Sequence, residues 1–135
     1  MRNTSDKFGA NAGKIWATLN NHGPLNQTLL IKKIKLSNND FQAAIGWLAR
    51  ENKIYKEGSS YKLGETNLAN KIGEDAGKIW RFLNSHGEIN ISSIAKMTKI
   101  KTVDAYSALG WLARENKIEA KKSSLKSNTL KFKLK

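Results

Sequence analysis

Apolar residues near the start of the chain recur at helical spacing. Phe8, Ala12, Ile15 and Leu19, continued by His22, place one buried stripe on a helix from about Ser5 to Asn21. His22-Gly23 reads as its end, with glycine free to take the left-handed terminal conformation. Asn26 is a good N-cap for a second helix over Gln27 to about Ile34. Lys35-Leu36-Ser37 is a short turn that puts lysine where glycine is usual, at a cost of about 1–2 kcal/mol. A third helix starts after Ser37 and ends near Asn52, burying Phe41, Ala44, Ile45 and Leu48. The period then changes. Lys53–Lys56 and Tyr61–Leu63, joined by a turn at Glu57–Ser60, predict a hairpin, and a short strand around Pro24-Leu25 completes a small sheet.

The whole pattern then returns at a constant offset of 64 residues. Asn11-Ala12-Gly13-Lys14-Ile15-Trp16 reappears as Asp75-Ala76-Gly77-Lys78-Ile79-Trp80, and GWLARENKI occurs unchanged as Gly46–Ile54 and Gly110–Ile118. The second set of stripes is Ile72, Ala76, Ile79, Leu83 and His86 on one helix and Ala105, Ala108, Leu109 and Leu112 on another. Between them run a helix opened by Asn90 and a turn at Lys99–Lys101. The final hairpin has a longer loop, Lys122 to Asn128. Its last strand alternates Leu130, Phe132 and Leu134 with Lys131, Lys133 and Lys135. We therefore expect two units, 1–65 and 66–135. Two copies are too few for a solenoid, so each should own a core. The connection, about Gly64–Thr66, is too short for a free tether and predicts a fixed mutual orientation. The fold class is mainly α with small β-hairpins (α+β), as a tandem winged helix-turn-helix.

The GKIW run in the first helix, together with GWLARENKI, resembles a family of small winged helix-turn-helix domains from uncharacterised bacterial and archaeal proteins. The likeness covers Asn11–Leu63 and Asp75 to about Lys126. It implies the winged-helix fold and, by analogy with other winged helices, DNA binding.

Charge narrows the function. The 135 residues carry 24 Lys and Arg against 11 Asp and Glu, a formal net charge of +13 and a pI near 10.0. Residues 1–67 contribute +5 and residues 68–135 contribute +8. Such a balance is the electrostatic footprint of a nucleic-acid binder. There is no cysteine, so disulfides and thiolate metal sites are excluded. No metal site is expected at His22 or His86, which lack a neighbouring carboxylate cluster. No apolar run approaches a membrane span, and no signal-peptide core stands at the N-terminus. These features predict an intracellular protein, placed in the cytoplasm with the nucleoid. With no paired carboxylates and no phosphate loop, an enzyme is not expected. GANAGK at Gly9–Lys14 lacks nucleotide-loop spacing and lies inside a helical pattern. No cofactor or small-molecule ligand is expected.

For double-stranded DNA, a helix-turn-helix sends the N-terminal part of its third helix into the major groove. The face opposite Phe41 and Ile45 carries Asn39, Ala43, Gly46 and Arg50, flanked by Asn38 and Gln42. Its counterpart carries Thr102, Val103, Tyr106, Ser107, Gly110 and Arg114. Asn and Gln suit adenine edges, and small residues allow close approach. Phosphate contacts are expected from Lys32, Lys33, Lys35, Lys96, Lys99 and Lys101 beside the turns. Lys53, Lys56, Lys62, Lys117, Lys121, Lys122 and Lys126 would add more from the wings. A protein-interaction scaffold is the alternative, since tandem winged helices also serve in complexes that never touch DNA; homo-oligomers and protein partners stay open. RNA stacking on Tyr55 and Tyr61 is a third reading.

Overall fold

The computed structural model describes residues 5–122 and 130–135. Within them the chain runs α1 (Asp6–His22), β1 (Leu25–Asn26), α2 (Gln27–Ile34), α3 (Asn38–Arg50), β2 (Ile54–Glu57) and β3 (Ser60–Leu63). The order then repeats as α4 (Ala69–His86), β4 (Ile89–Asn90), α5 (Ile91–Thr98), α6 (Thr102–Arg114), β5 (Ile118–Lys122) and β6 (Leu130–Leu134). This is the expected class, two winged helix-turn-helix units of mainly α structure. Each has an antiparallel three-stranded sheet in which the last strand is central, ordered β1-β3-β2 and β4-β6-β5.

Local chemistry sets the helix limits. The Asn26 and Asn90 side chains accept from the Leu29 and Ser93 amides at 2.8 Å, satisfying first-turn donors of α2 and α5. Ser37 does the same for α3 through the Asp40 amide at 3.1 Å. Its counterpart, Lys101, makes no side-chain cap. Replacing Lys101 with serine is therefore expected to raise stability by about 1 kcal/mol, read as a higher urea midpoint with an unchanged slope. The turns after α2 and α5 do place lysine in the left-handed region, with φ 61° at both Lys35 and Lys99. α1 and α4 close on Gly23 and Gly87, at φ 78° and 73°.

Phe8, Ala12, Ile15 and Leu19 are buried as the stripe requires, and so are Ile72, Ala76, Ile79 and Leu83. His22 and His86, which the spacing added to those stripes, are exposed. They stand on the last turn, beyond the reach of the core. His86 instead stacks on Phe82 at 4.1 Å and holds its carbonyl through Nδ1 at 2.9 Å.

Two apolar clusters form, but neither belongs to one copy alone. Phe8 and Ala43 sit in the cluster built by the second copy, and Ile72 sits in the cluster built by the first. Phe8 and Ile72 occupy equivalent positions, so the exchange is reciprocal. Trp47 and Trp111 pack against both clusters. The expectation of one private core per copy thus gives way to two cores, each completed by the other copy.

The connection is pinned. The Thr66 amide donates to Asn52 Oδ1 at 2.8 Å. The Asn67 side chain brackets Lys56, accepting from its amide at 2.9 Å and donating to its carbonyl at 2.7 Å. Asn52 and Asn116 take φ of 60° and 61°, turning the chain from α3 or α6 into the wing. Asparagine tolerates that region better than other side chains with a Cβ.

Candidate nucleic-acid interface

α3 and α6, the helices that would read bases, lie against each other. A Cβ on Gly46 would stand 1.7 Å from the Ser107 carbonyl oxygen, and one on Gly110 would stand 1.8 Å from that of Ala43. Backbone meets backbone at this crossing. The contacts are reciprocal, because Ser107 is the counterpart of Ala43. Toward the N-terminal ends, Ser107 Oγ donates to Gln42 Oε1 at 3.0 Å. Toward the C-terminal ends, Arg50 pairs with Glu115 at 3.0 Å and Arg114 with Glu51 at 2.8 Å. Each guanidinium also lies over an indole of the opposite copy: Arg50 over Trp111 at 5.7 Å, Arg114 over Trp47 at 6.0 Å. The two helices therefore run in the same direction, and both N-termini emerge at one end of the pair.

This placement corrects the expected reading face. Ala43 is fully buried, Ser107 is 5% exposed and Tyr106 is 7% exposed. Burial pushes the Tyr106 hydroxyl above its usual pKa, and the Asp40 charge adds to the shift. Gln42 is half-buried and bonded across the junction, and Arg50 and Arg114 are spent on their ion pairs. The small residues that leave room for a base edge leave the same room for a second helix, and here the helix takes it. Arginine and glutamate side by side in GWLARENKI were the signal: each copy carries both halves of a reciprocal salt bridge.

The remaining candidates divide by whether they are already paired. On the wings and at the helix ends, Lys53 lies 3.8 Å from Glu51, Lys117 3.4 Å from Glu115, Lys62 3.9 Å from Glu57 and Lys121 3.2 Å from Glu88. Lys62 also covers the Tyr55 ring at 4.8 Å, and Lys56 lies 5.6 Å from the Tyr61 ring. Tyr61 is 2% exposed, edge-on to Phe41 at 5.5 Å, so it offers no stacking face for RNA. Burial raises its pKa, against the Gln42 hydrogen bond. Lys126 and the side chain of Lys122 lie outside the described residues.

Lys32, Lys33, Lys35, Lys96, Lys99 and Lys101 are different. All six are exposed, and none joins an ion pair among the described residues. They flank the starts of α3 and α6, where exposed Asn38 and Thr102 and half-buried Asn39 also stand. Unpaired lysines and two helix N-termini share one end of the helix pair, an arrangement suited to phosphate. The acidic groups nearby are Asp40 and Asp104, in the first turns of α3 and α6. Lys71 stands 3.8 Å from Asp104 while bonding Asp75 at 2.7 Å; that hydrogen bond is the main reason the Lys71 ammonium is held above its usual pKa.

Comparison with known families agrees with this architecture. The profile of the winged helix-turn-helix domain DUF2582 matches twice, over residues 1–64 and 67–131. The chain belongs to the DUF2582 family. No curated protein and no solved structure gives a significant match. The DUF2582 fold is of a kind that typically binds rather than catalyses, and it is compatible with nucleic acid. Among the described residues, no helix of this DUF2582 pair is long and apolar enough to cross a membrane.

Proposed function

We propose that this tandem DUF2582 protein binds double-stranded DNA through the phosphate backbone, with little dependence on sequence. One observation carries the reading: the six unpaired lysines gather at the end of the α3–α6 pair where both helix N-termini emerge. Base-edge readers such as Gln42, Tyr106 and Ser107 are engaged between the copies, so the free surface is rich in charge and poor in readers. That favours a chromosome-coating role in the nucleoid over a site-specific regulator. Asn38, Asn39 and Thr102 supply neutral hydrogen bonds at the margin, and Lys56 adds charge from the first wing.

The test is titration with random duplex DNA at several salt concentrations. Each lost phosphate contact lowers the salt slope by about 0.9. The charge reversal Lys33→Glu, Lys35→Glu, Lys99→Glu, Lys101→Glu is expected to flatten the slope by about 3–4 and weaken binding to every sequence alike. No duplex binding by the wild type at about 50 mM salt, where backbone contacts are strong, would sink the proposal. So would an unchanged slope in a folded variant. A protein-interaction scaffold is the second reading, favoured because the pairing of α3 and α6 consumes the faces that a DNA reader normally presents.

A further inference from the structure

Away from the lysine end, each copy carries a cleft between its first helix and the C-terminal half of its third. The first has a volume of about 280 Å³ and the second about 490 Å³. Trp16 and Trp47 line the first, Trp80 and Trp111 the second. The four tryptophans of the chain are thus all cleft residues. Every residue lining the first cleft has an identical counterpart lining the second.

Some of that identity serves the fold. A Cβ on Gly9 would stand 2.7 Å from the Trp47 ring, so glycine lets the indole lie against α1. Glu51 and Glu115 hold the reciprocal salt bridges. Gly13 has no such duty. A Cβ on Gly13 would meet nothing within 4 Å, and its counterpart on Gly77 would touch only the Arg81 guanidinium, at 3.6 Å. Glycine inside a helix is destabilising relative to alanine, yet both copies keep it. Both also keep a tryptophan three residues on, 39% exposed at Trp16 and 37% at Trp80. Meanwhile exposed neighbours on the same helices differ, Ala10 against Glu74 and Ala17 against Arg81.

The rims are cationic. Lys53 lines the first cleft, and Arg114 lies over its Trp47; Arg81 and Lys117 line the second, and Arg50 lies over its Trp111. The single carboxylate in each is already held by an arginine of the other copy. Exposed indoles at Trp16 and Trp80, beside rims where cations outnumber the one carboxylate of each cleft, suit an occupant with a planar ring and a negative backbone. We propose that the two clefts bind unpaired nucleobases of single-stranded nucleic acid, independently of the duplex-binding end.

The four tryptophans make the test direct. Oligothymidylate is expected to quench the intrinsic fluorescence of the full chain, with a salt dependence of about 0.7 per phosphate engaged. A duplex of equal charge should quench far less. Gly13→Leu with Gly77→Leu fills both floors where a side chain has room. This variant should melt no lower than the wild type and bind oligothymidylate at least about tenfold more weakly, the loss expected for a missing stacking contact. The lysine charge-reversal variant should still be quenched, so failure here and failure of the duplex reading are distinguishable. Absence of quenching in the wild type overturns the proposal, as does unchanged affinity in the folded leucine variant. Quenching by an acidic, phenylalanine-containing peptide but not by oligothymidylate overturns it in favour of a protein partner.

Discussion

Gly110→Ala is expected to destabilise the protein by about 3 kcal/mol, the upper range for forcing an extra carbon into a packed interior. The new Cβ would meet the Ala43 carbonyl oxygen at 1.8 Å, and a backbone atom cannot rotate away. Relief requires α3 and α6 to separate, which loosens Phe8 and Ile72 in the opposite cores and strains both arginine–glutamate bridges. Gly46→Ala should behave alike, since it meets Ser107 at 1.7 Å. For a chain of this size the loss corresponds to a fall of about 10 °C in thermal midpoint. Gly13→Ala is the internal control. It adds the same carbon to a helix where nothing is near, and should stabilise by about 0.5–1 kcal/mol. Equal midpoints for Gly110→Ala and Gly13→Ala would mean that the helices do not cross here.

The second large effect concerns the first copy expressed alone, residues 1–67. It is expected to associate into a twofold dimer, and to unfold on dilution. Its own sequence holds both halves of every reciprocal contact: Gly46 with the Ala43 carbonyl, and Arg50 with Glu51. An isologous interface needs nothing more. A monomer would leave Ala43 and Trp47 without their cover from the other copy and would lose the Ile72 side chain from its core. In the dimer Phe8 replaces Ile72 in that core, a larger ring in a fitted space, so the dimer should be weaker than the intact chain. Light scattering and melting at several concentrations check this. The fragment should show a midpoint that climbs with concentration, and the full chain should not. A folded monomeric fragment would contradict the exchange of core residues described above.

Much of each unit was legible in the sequence because its determinants are local. Asn26, Asn90 and Ser37 mark helix starts through bonds to amides three residues on, and the alternation of Leu130, Phe132 and Leu134 marks a strand. Even the left-handed Lys35 was readable from its place between two helices. The errors came where one local pattern serves two distant ends. Ala43 and Gly46 on the outer face of α3 say that something approaches closely, without saying whether it is a base pair or a helix. Gln42, Arg50 and Arg114 carry polar groups that suit either partner. A repeat offset gives the equivalence of two units but not their spatial relation, so the α3–α6 crossing had to come from the structure. The crossing does not reach Lys35, Lys99 and Lys101, which stay exposed.

The hydrogen bonds that tie the connection to Asn52 and Lys56 have one more consequence. A dimer of identical chains is bound to symmetry: any change on one side appears on the other. Two units fused into one chain are released from that rule. The second unit has used the freedom, with Asp75 in place of Asn11, bonded to Lys71, Ser107 in place of Ala43, and a larger share of the positive charge. Such a molecule can keep a symmetric frame while its two faces drift toward unequal tasks, and what it grips need not be palindromic.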